Sequence, residues 1–99
     1  MKLFLDDRRD APDKSFCVVR NYEDCINLLK LISFEFVSLD FDLGDYYNGL
    51  HVLEWMVENN KIPDRLNIHS SHSMGILKMC RYIDAFFPQG YHYTTNMLP

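Results

Sequence analysis

Two aspartate pairs in this 99-residue chain each follow a short apolar run. Asp6 and Asp7 end LFLDD, and Asp40 and Asp42 end FVSLDFD. Carboxylates packed closely together repel one another unless a cation or protons intervene. Oxygen ligands with room for several waters suit Mg²⁺, which proteins commonly hold through one or two carboxylates beside a substrate phosphate. If the two pairs meet in space, they predict a site for a divalent metal.

A third segment, NIHSSHS, supplies hydroxyls and imidazoles. His69, Ser70, Ser71 and His72 follow an apolar run, and a helical pattern begins directly after them. Hydroxyls and the backbone N–H groups at the start of a helix are suited to binding phosphate. A metal together with a phosphate is therefore the simplest interpretation of the three segments.

The elements that must position these residues alternate between strand and helix. Apolar runs predict strands at KLFLDD, FCVVR, FEFVSLDFDL and RLNIHSS, and a short edge strand at YHYTT. Helical spacing predicts helices over NYEDCINLLKLI, NGLHVLEWMVENN and MGILKMCRYIDAFF, with Asn21 capping the first and Ser73 the last. This alternation predicts a mostly parallel sheet with right-handed crossovers. The first connection, RRDAPDKS, is too short to contain a covering helix.

In a parallel sheet the strands end at one edge, and ligands bind where the strand order reverses. A strand order of 2-1-3-4 places that reversal between the first and third strands. The aspartate pairs and the NIHSSHS segment would then converge on one crevice.

Composition and charge limit the possible functions. The length predicts one domain spanning residues 1–99, and a hydrophobic content of 47% predicts a folded protein. A net charge of −4 argues against binding duplex DNA or an anionic membrane, and no apolar run is long enough to span one. Three cysteines without CxxC spacing predict neither disulfides nor a zinc site, so we expect a cytoplasmic protein. The oligomeric state is left open.

Several motifs resemble a known family. LFLDDRR, SLDFDLG…NGLHVLEWM and IHSS resemble the receiver domain of response regulators, with paired acids after strand one, Asp after strand three and Ser after strand four. The closer resemblance is to the cyclic-phosphate-processing receiver-like domains, which have an LDDxR start, no first helix, a DxDLG motif and an HSS…G…M segment. Phe41 departs from this pattern, since relatives often carry His there, and His72-Ser73 replaces a frequent Asn-Pro.

This resemblance implies a receiver-like, flavodoxin-like α/β fold. It implies a three-layer sandwich with a four- to five-stranded sheet of order 2-1-3-4(-5), lacking the first helix. It further implies that Mg²⁺ or Mn²⁺ is bound and that cyclic phosphates on nucleotides or RNA ends are processed.

Roles for individual residues follow from this hypothesis. The expected metal ligands are Asp6, Asp7, Asp40 and Asp42. The expected phosphate-binding residues are Arg8, Arg9, Ser70 and Ser71, and the expected catalytic residues are Asp40, His69, Ser70 and His72. His69 would protonate the leaving oxygen, and Asp42 or His72 would orient the attacking water.

Other functions stay open at this stage. The chain could be a non-enzymatic module that binds metal or nucleotide and acts through a partner, or a phosphoacceptor receiver with Asp40 as the phosphorylation site. Receivers use a Lys after strand five, whereas no lysine follows Lys78 here. A haloacid-dehalogenase-like phosphatase also has a DxD motif, but its acidic metal pair comes late in the chain, the reverse of this order.

Some of these residues also have purely structural interpretations. Asp42 could simply begin the turn before Gly44, and Tyr46 and Tyr47 could either stack on a base or cover a core edge. The default prediction is core packing for Trp55, Met56, Met74 and Met79, and for the cysteines Cys17, Cys25 and Cys80.

Overall fold

The computed structural model describes residues 1–96, in which strands and helices alternate as expected. The strands are β1 (Lys2–Leu5), β2 (Phe16–Val19), β3 (Phe36–Leu39), β4 (Arg65–Ile68) and β5 (Tyr93–Thr95). The helices are α1 (Tyr22–Leu31), α2 (Gly49–Glu58) and α3 (Ser73–Phe86).

All five strands form one parallel sheet in the order β2-β1-β3-β4-β5. Leu5 is in register with Val19 on one side and Leu39 on the other, and Leu39 is in register with Ile68. β1, β3 and β4 therefore end at the same level. The predicted sheet order is confirmed, together with the edge strand β5.

The three helices pack on one face of the sheet. Their buried side chains form a single core with alternate strand residues such as Leu3, Val37 and Leu66, and α2 contacts both α1 and α3. This arrangement follows from the handedness rule, because each connection from β2 onward moves in the same direction across the sheet. The absence of a first helix is confirmed, because a helix-free loop over residues 6–15 joins β1 to β2.

The layering differs from the predicted three-layer sandwich. Within residues 1–96 no helix covers the second face of the sheet. That face carries an aromatic row, in which the ring of Phe16 meets Phe4 edge-on at 6.0 Å and Phe36 at 5.9 Å. The connection from β1 to β2 runs across the sheet in the direction opposite to the later connections, so a helix in it would cover this second face. Because this connection contains no helix, the third layer is missing.

Polar caps define where the helices begin. Asn21 caps α1 by accepting from the Asp24 backbone N–H at 2.8 Å, as predicted. Asn48 caps α2 and forms a capping box with His51. The cap of α3 is His72, whose Nδ1 accepts from the Gly75 N–H at 2.9 Å. The prediction of Ser73 as cap was therefore wrong by one residue, because the imidazole reaches the N–H group that a serine hydroxyl normally binds.

The predictions for apolar residues are mostly confirmed. Met56 and Met79 are fully buried, and Cys25 is buried as well. Trp55, Cys17 and Cys80 are partly buried against the core. Met74 is 57% exposed because it lies in the first turn of α3 on the solvent side, so the prediction of core packing for it was wrong. No helix among residues 1–96 is long and apolar enough to cross a membrane.

Gly49 allows α2 to begin in contact with the end of β3. A Cβ atom at this position would lie 2.2 Å from the backbone oxygen of Asp40. The Gly49 N–H also donates to the Phe41 backbone oxygen at 2.9 Å, so the approach is fixed by a hydrogen bond.

We expect Gly49→Ala to lower the free energy of unfolding by about 2 to 4 kcal/mol, measured by urea denaturation, because the backbone must shift to relieve the clash. Helix propensity alone would favour alanine by about 1 kcal/mol, so the two effects have opposite signs. Glu58→Ala, at the exposed end of the same helix, is the control and should change stability by less than about 0.5 kcal/mol. A stabilised Gly49→Ala variant would contradict this account.

Candidate active site

The predicted site residues meet in one cleft at the carboxyl edge of the sheet. The cleft has a volume of about 620 Å³. It is lined by Asp6, Asp7, Arg8, Arg9, Asp40, Asp42, Gly44, Ser70, Ser71 and His72. Every residue predicted for the site is present except His69, which is buried rather than exposed to the cleft.

The sheet places Asp6, Asp40 and His69 side by side because its hydrogen bonding continues one residue beyond each strand. The Asp40 N–H donates to the Leu5 oxygen at 3.0 Å, and the His69 N–H donates to the Leu39 oxygen at 2.9 Å. One ligand atom from each of Asp6, Asp40 and His69 lies within 4.8 Å of the others. These residues are the densest group of metal-ligand types in residues 1–96.

Asp6 is held by both of its carboxylate oxygens. Oδ1 accepts from the backbone N–H groups of Arg8 and Arg9, each at 2.8 Å, and Oδ2 lies 3.0 Å from His69 Nε2. Burial by itself would raise the pKa of Asp6, but the N–H donors of Arg9 and Arg8 and the neighbouring His69 outweigh burial and hold that pKa below its usual value. Asp6 is therefore ionised across the neutral range.

His69 lies beneath the cleft in a buried chain of hydrogen bonds. Its Nδ1 is 2.6 Å from Ser38 Oγ, and its ring stacks on Phe4 with 4.3 Å between centroids. Burial lowers the pKa of His69 although Asp6 opposes the change, so the neutral ring is favoured. An ionised Asp6 requires a proton on Nε2, and Nδ1 then accepts from Ser38.

The chain of hydrogen bonds continues away from the cleft. Ser38 Oγ accepts from Asn67 Nδ2 at 3.2 Å, and Asn67 Oδ1 accepts from the Thr94 hydroxyl at 2.6 Å. Both ring nitrogens of His69 are therefore engaged within the protein. The geometry gives His69 the role of orienting Asp6, and it does not bring the imidazole to a substrate as the sequence hypothesis required.

Sequence reasoning missed Ser38. The signal was present, since a serine inside an apolar strand is in register with Asn67 of the neighbouring strand. Both side chains are fully buried. Two polar side chains buried side by side on adjacent strands need a shared network, and this one ends at Asp6.

Asp40 occupies the middle of the site. Burial raises the pKa of Asp40 to about 6, and the carboxylates of Asp6 and Asp7 add to this effect. The Ser70 hydroxyl and the Phe41 N–H donate to the Asp40 carboxylate and oppose the increase only in part. A carboxylate made unstable by neighbouring carboxylates is one that a cation would stabilise.

Asp7 and Asp42 line the cleft outside this dense group. A Cβ atom at Gly44, where φ is +67°, would lie 3.3 Å from Asp7 Oδ2, so the turn runs close beside that carboxylate. Asp42 Oδ1 accepts from the Gly44 N–H at 2.9 Å. Asp42 thus forms the turn before Gly44, and its exposed carboxylate faces the cleft as well.

The NIHSSHS segment lines the cleft on the β4 side, next to Asp40. Ser70 connects two parts of the site, because it donates to Asp40 and accepts from the His72 N–H at 3.1 Å. The His72 ring lies 5.0 Å from that of Phe41. Because His72 Nδ1 accepts a hydrogen bond as the helix cap, the neutral ring carries its proton on Nε2.

Phe41, which departs from the family motif, fits against α3. A Cβ atom at Gly75 would lie 2.3 Å from the Phe41 ring. Gly75 thus gives space to an aromatic ring that packs under His72 and holds the start of α3 against the end of β3.

Arg8 and Arg9 form the positive rim of the cleft. Both side chains are exposed, and neither makes an ion pair with another residue in the range 1–96. Arg20, which sequence reasoning missed, holds their loop from beneath. Its Nη1 donates to the backbone oxygens of Asp6, at 3.0 Å, and Arg9.

Comparison with known proteins identifies a family for the chain. The sequence matches a family model described as the cyclic-phosphate processing receiver domain over residues 1–85, which is most of the chain. The chain belongs to this family. No curated protein and no solved structure gave a match.

At the residues next to β5, this cyclic-phosphate processing receiver domain differs from a phosphoacceptor receiver. Among the described residues no lysine lines the cleft. Asn96 follows β5 instead, and its Oδ1 accepts from the Ser70 N–H at 2.8 Å. The position after β5 therefore supports the NIHSSHS segment rather than supplying a cation.

Asp40 should make the stability of this receiver domain depend on pH. The carboxyl titrates near 3.8 when unfolded and at about 6 when folded. Between these values the folded protein binds more protons, so the free energy of unfolding contributed by Asp40 falls as pH rises from about 4 to about 6. Asp40→Asn should stabilise the metal-free protein at pH 8 by about 1 to 2 kcal/mol, less than the full pKa difference because water screens part of it.

Urea denaturation in EDTA at pH 4.5 and pH 8 measures this effect. Asp42→Asn is the matched control, because it removes an exposed carboxylate from the same cleft. A difference between wild type and Asp40→Asn that does not grow with pH would contradict the assignment of the raised pKa to Asp40.

Proposed function

We propose that this receiver domain hydrolyses cyclic phosphates on nucleotides with the help of Mg²⁺ or Mn²⁺. The observation that carries the proposal is that one cleft holds both carboxylates and two arginines, Arg8 and Arg9, which make no ion pair within residues 1–96. A cyclic phosphate carries one negative charge, which arginine guanidinium groups bind well. Family membership supports the cyclic-phosphate chemistry.

Asp40 and Asp6 are the principal candidates to hold the metal, with Asp7 beside them. The donor set fits Mg²⁺ or Mn²⁺, because it offers carboxylate oxygens and leaves room for water. His69 belongs to the same group by distance, but its Nε2 is bound to Asp6, and a hard cation prefers oxygen. A divalent cation bound here would neutralise the carboxylates and polarise the phosphorus.

The substrate phosphate would lie between the arginine rim and the start of α3. Arg8 and Arg9 approach the phosphate from one side, and Ser71 lines the other side at the positive end of the helix dipole. Ser70 is already committed to Asp40 and His72, so its role is to fix these two residues rather than to bind phosphate directly.

His72 is the best-placed hydrogen-bond donor for the departing oxygen. Its neutral ring presents Nε2–H, and the residue lines the cleft. In the reaction water attacks phosphorus while Asp42 takes a proton from it, and one ring P–O bond breaks. The Nε2–H group of His72 donates a hydrogen bond to the departing oxygen, which receives its proton from solvent, and Asp42 returns its own proton to solvent. The product is a phosphate monoester.

Metal binding should stabilise the folded protein. We expect saturating MgCl₂ or MnCl₂ to raise the free energy of unfolding of the wild type by about 2.7 kcal/mol at one hundred times Kd, because only the folded chain gathers the carboxylates. The effect should be absent in Asp40→Asn. Thermal unfolding followed by circular dichroism, in metal and in EDTA, measures this.

The control is Asp64→Asn, which removes an acid near the opposite edge of the sheet and should retain the full stabilisation. Equal stabilisation of wild type and Asp40→Asn would show that the cation binds elsewhere and would remove the proposed metal site.

Turnover tests the reaction itself. ³¹P NMR with 2′,3′-cyclic and 3′,5′-cyclic nucleotides and an RNA ending in a 2′,3′-cyclic phosphate should show loss of the cyclic-phosphate signal only with metal. Asp40→Asn should abolish conversion, and His72→Ala should lower kcat by about 10² to 10³, the typical effect of removing one hydrogen-bond donor to a developing oxyanion. His92→Ala, before β5 at the other edge, should retain wild-type turnover.

Two results would redirect the assignment. Binding of a cyclic nucleotide without any product would favour a non-enzymatic signalling module. A gain of one phosphoryl group on Asp40 after incubation with acetyl phosphate, detected by intact mass, would favour a phosphoacceptor receiver.

A further inference from the structure

An exposed tyrosine stands beside the cleft and has no function in the chemistry described above. Tyr46 is 80% exposed, the highest value among the aromatic residues between positions 1 and 96. It follows Gly44, a residue of the cleft, by two positions. Two residues of chain span at most about 7 Å, so the segment that carries Tyr46 adjoins the cleft.

The Tyr46 ring is supported from behind. It stacks on His51, with 5.8 Å between ring centroids and 26° between ring planes, and meets Tyr47 edge-on at 5.0 Å. Tyr47 in turn stacks on Tyr22 at 4.4 Å. The α2 cap fixes His51, because its Nδ1 accepts from the Asn48 N–H at 2.9 Å. The cluster is thus a set of ring contacts anchored by His51, and the Tyr46 ring is its most exposed member.

We propose that this surface binds the base of the nucleotide whose cyclic phosphate occupies the cleft. This inference rests on the proposed function, because that function places the cyclic phosphate in the cleft. An aromatic face of this kind stacks on any base, and a stack contributes substantially to binding without requiring hydrogen bonds to the base edge. The phosphate would lie against Arg8 and Arg9 while the base lies over Tyr46.

The charges around the platform favour a single nucleotide over an RNA chain. The groove beside Tyr46 is lined by Glu23, Asp24 and Asp45, against one lysine, Lys30. Further phosphates of an RNA chain that continued along this groove would meet these carboxylates and be repelled. The substrate class is therefore a nucleoside cyclic monophosphate.

The test compares substrates with and without a base in the chain of residues 1–99. KM is measured for 2′,3′-cyclic AMP and 3′,5′-cyclic AMP, for glycerol 1,2-cyclic phosphate and for an RNA trimer with a cyclic end. Adenosine is titrated separately by ¹H NMR, following its H2 and H8 resonances. The variants are Tyr46→Ala, Tyr46→Phe and the control Phe86→Ala, which removes another exposed aromatic ring, on α3.

We expect Tyr46→Ala to raise KM for the cyclic nucleotide about tenfold, the effect of losing one base stack, and to leave kcat unchanged. Its KM for glycerol cyclic phosphate should not change, and the ring-current shifts of adenosine should disappear. Tyr46→Phe and Phe86→Ala should behave as wild type. The trimer should have a higher KM than the mononucleotide.

Equal adenosine shifts in wild type and Tyr46→Ala would overturn the platform, as would a KM increase of the same size for the base-free substrate. A trimer preferred over the mononucleotide would overturn the assignment to single nucleotides. If no cyclic phosphate is converted, the proposed reaction fails, and the adenosine titration alone then decides whether the base platform exists.

Discussion

The site depends on a parallel ladder that continues one residue past the ends of its strands. The first residue after β1, β3 and β4 donates its backbone N–H to the neighbouring strand, and these residues are Asp6, Asp40 and His69. Their backbones are as fixed as those of the strands themselves. The polar side chains therefore have little freedom to separate, although two of them repel each other, and the sheet supplies the energy that keeps them together.

The repulsion between Asp6 and Asp40 affects the two carboxylates unequally. Asp6 is stabilised by two backbone donors and by His69, whereas at Asp40 burial and the acidic neighbours outweigh the hydrogen bonds from Ser70 and Phe41. The result is one permanently charged carboxylate beside one whose charge is costly near neutral pH. Sites that gather like charges commonly reduce the stability of the fold in return for binding. Here the buried network through Ser38 and Asn67 makes the arrangement rigid.

The strand order was predicted from the family resemblance and from the apolarity of the third strand on both sides, and the missing helix from that resemblance and from the short first connection. The membership of the cleft then followed, because the carboxyl ends of parallel strands meet at one edge of the sheet. The role of His69 was not predictable, since the sequence shows that it follows β4 but not that its ring points to the helix-free face, where Ser38 and Phe4 hold it. The exposure of Met74 and the cap at His72 likewise depend on the rotation of α3 about its axis.

The backbone and the side chain of Arg8 and Arg9 have separate roles. Their backbone N–H groups hold Asp6, a task that any residue except proline can perform. Their guanidinium groups make no ion pair within residues 1–96. The fold therefore places no demand on side-chain identity here, and these two positions are free to drift during evolution unless an anion is bound. If distant relatives conserve arginine at both positions, that conservation would reflect selection for ligand binding and not for folding.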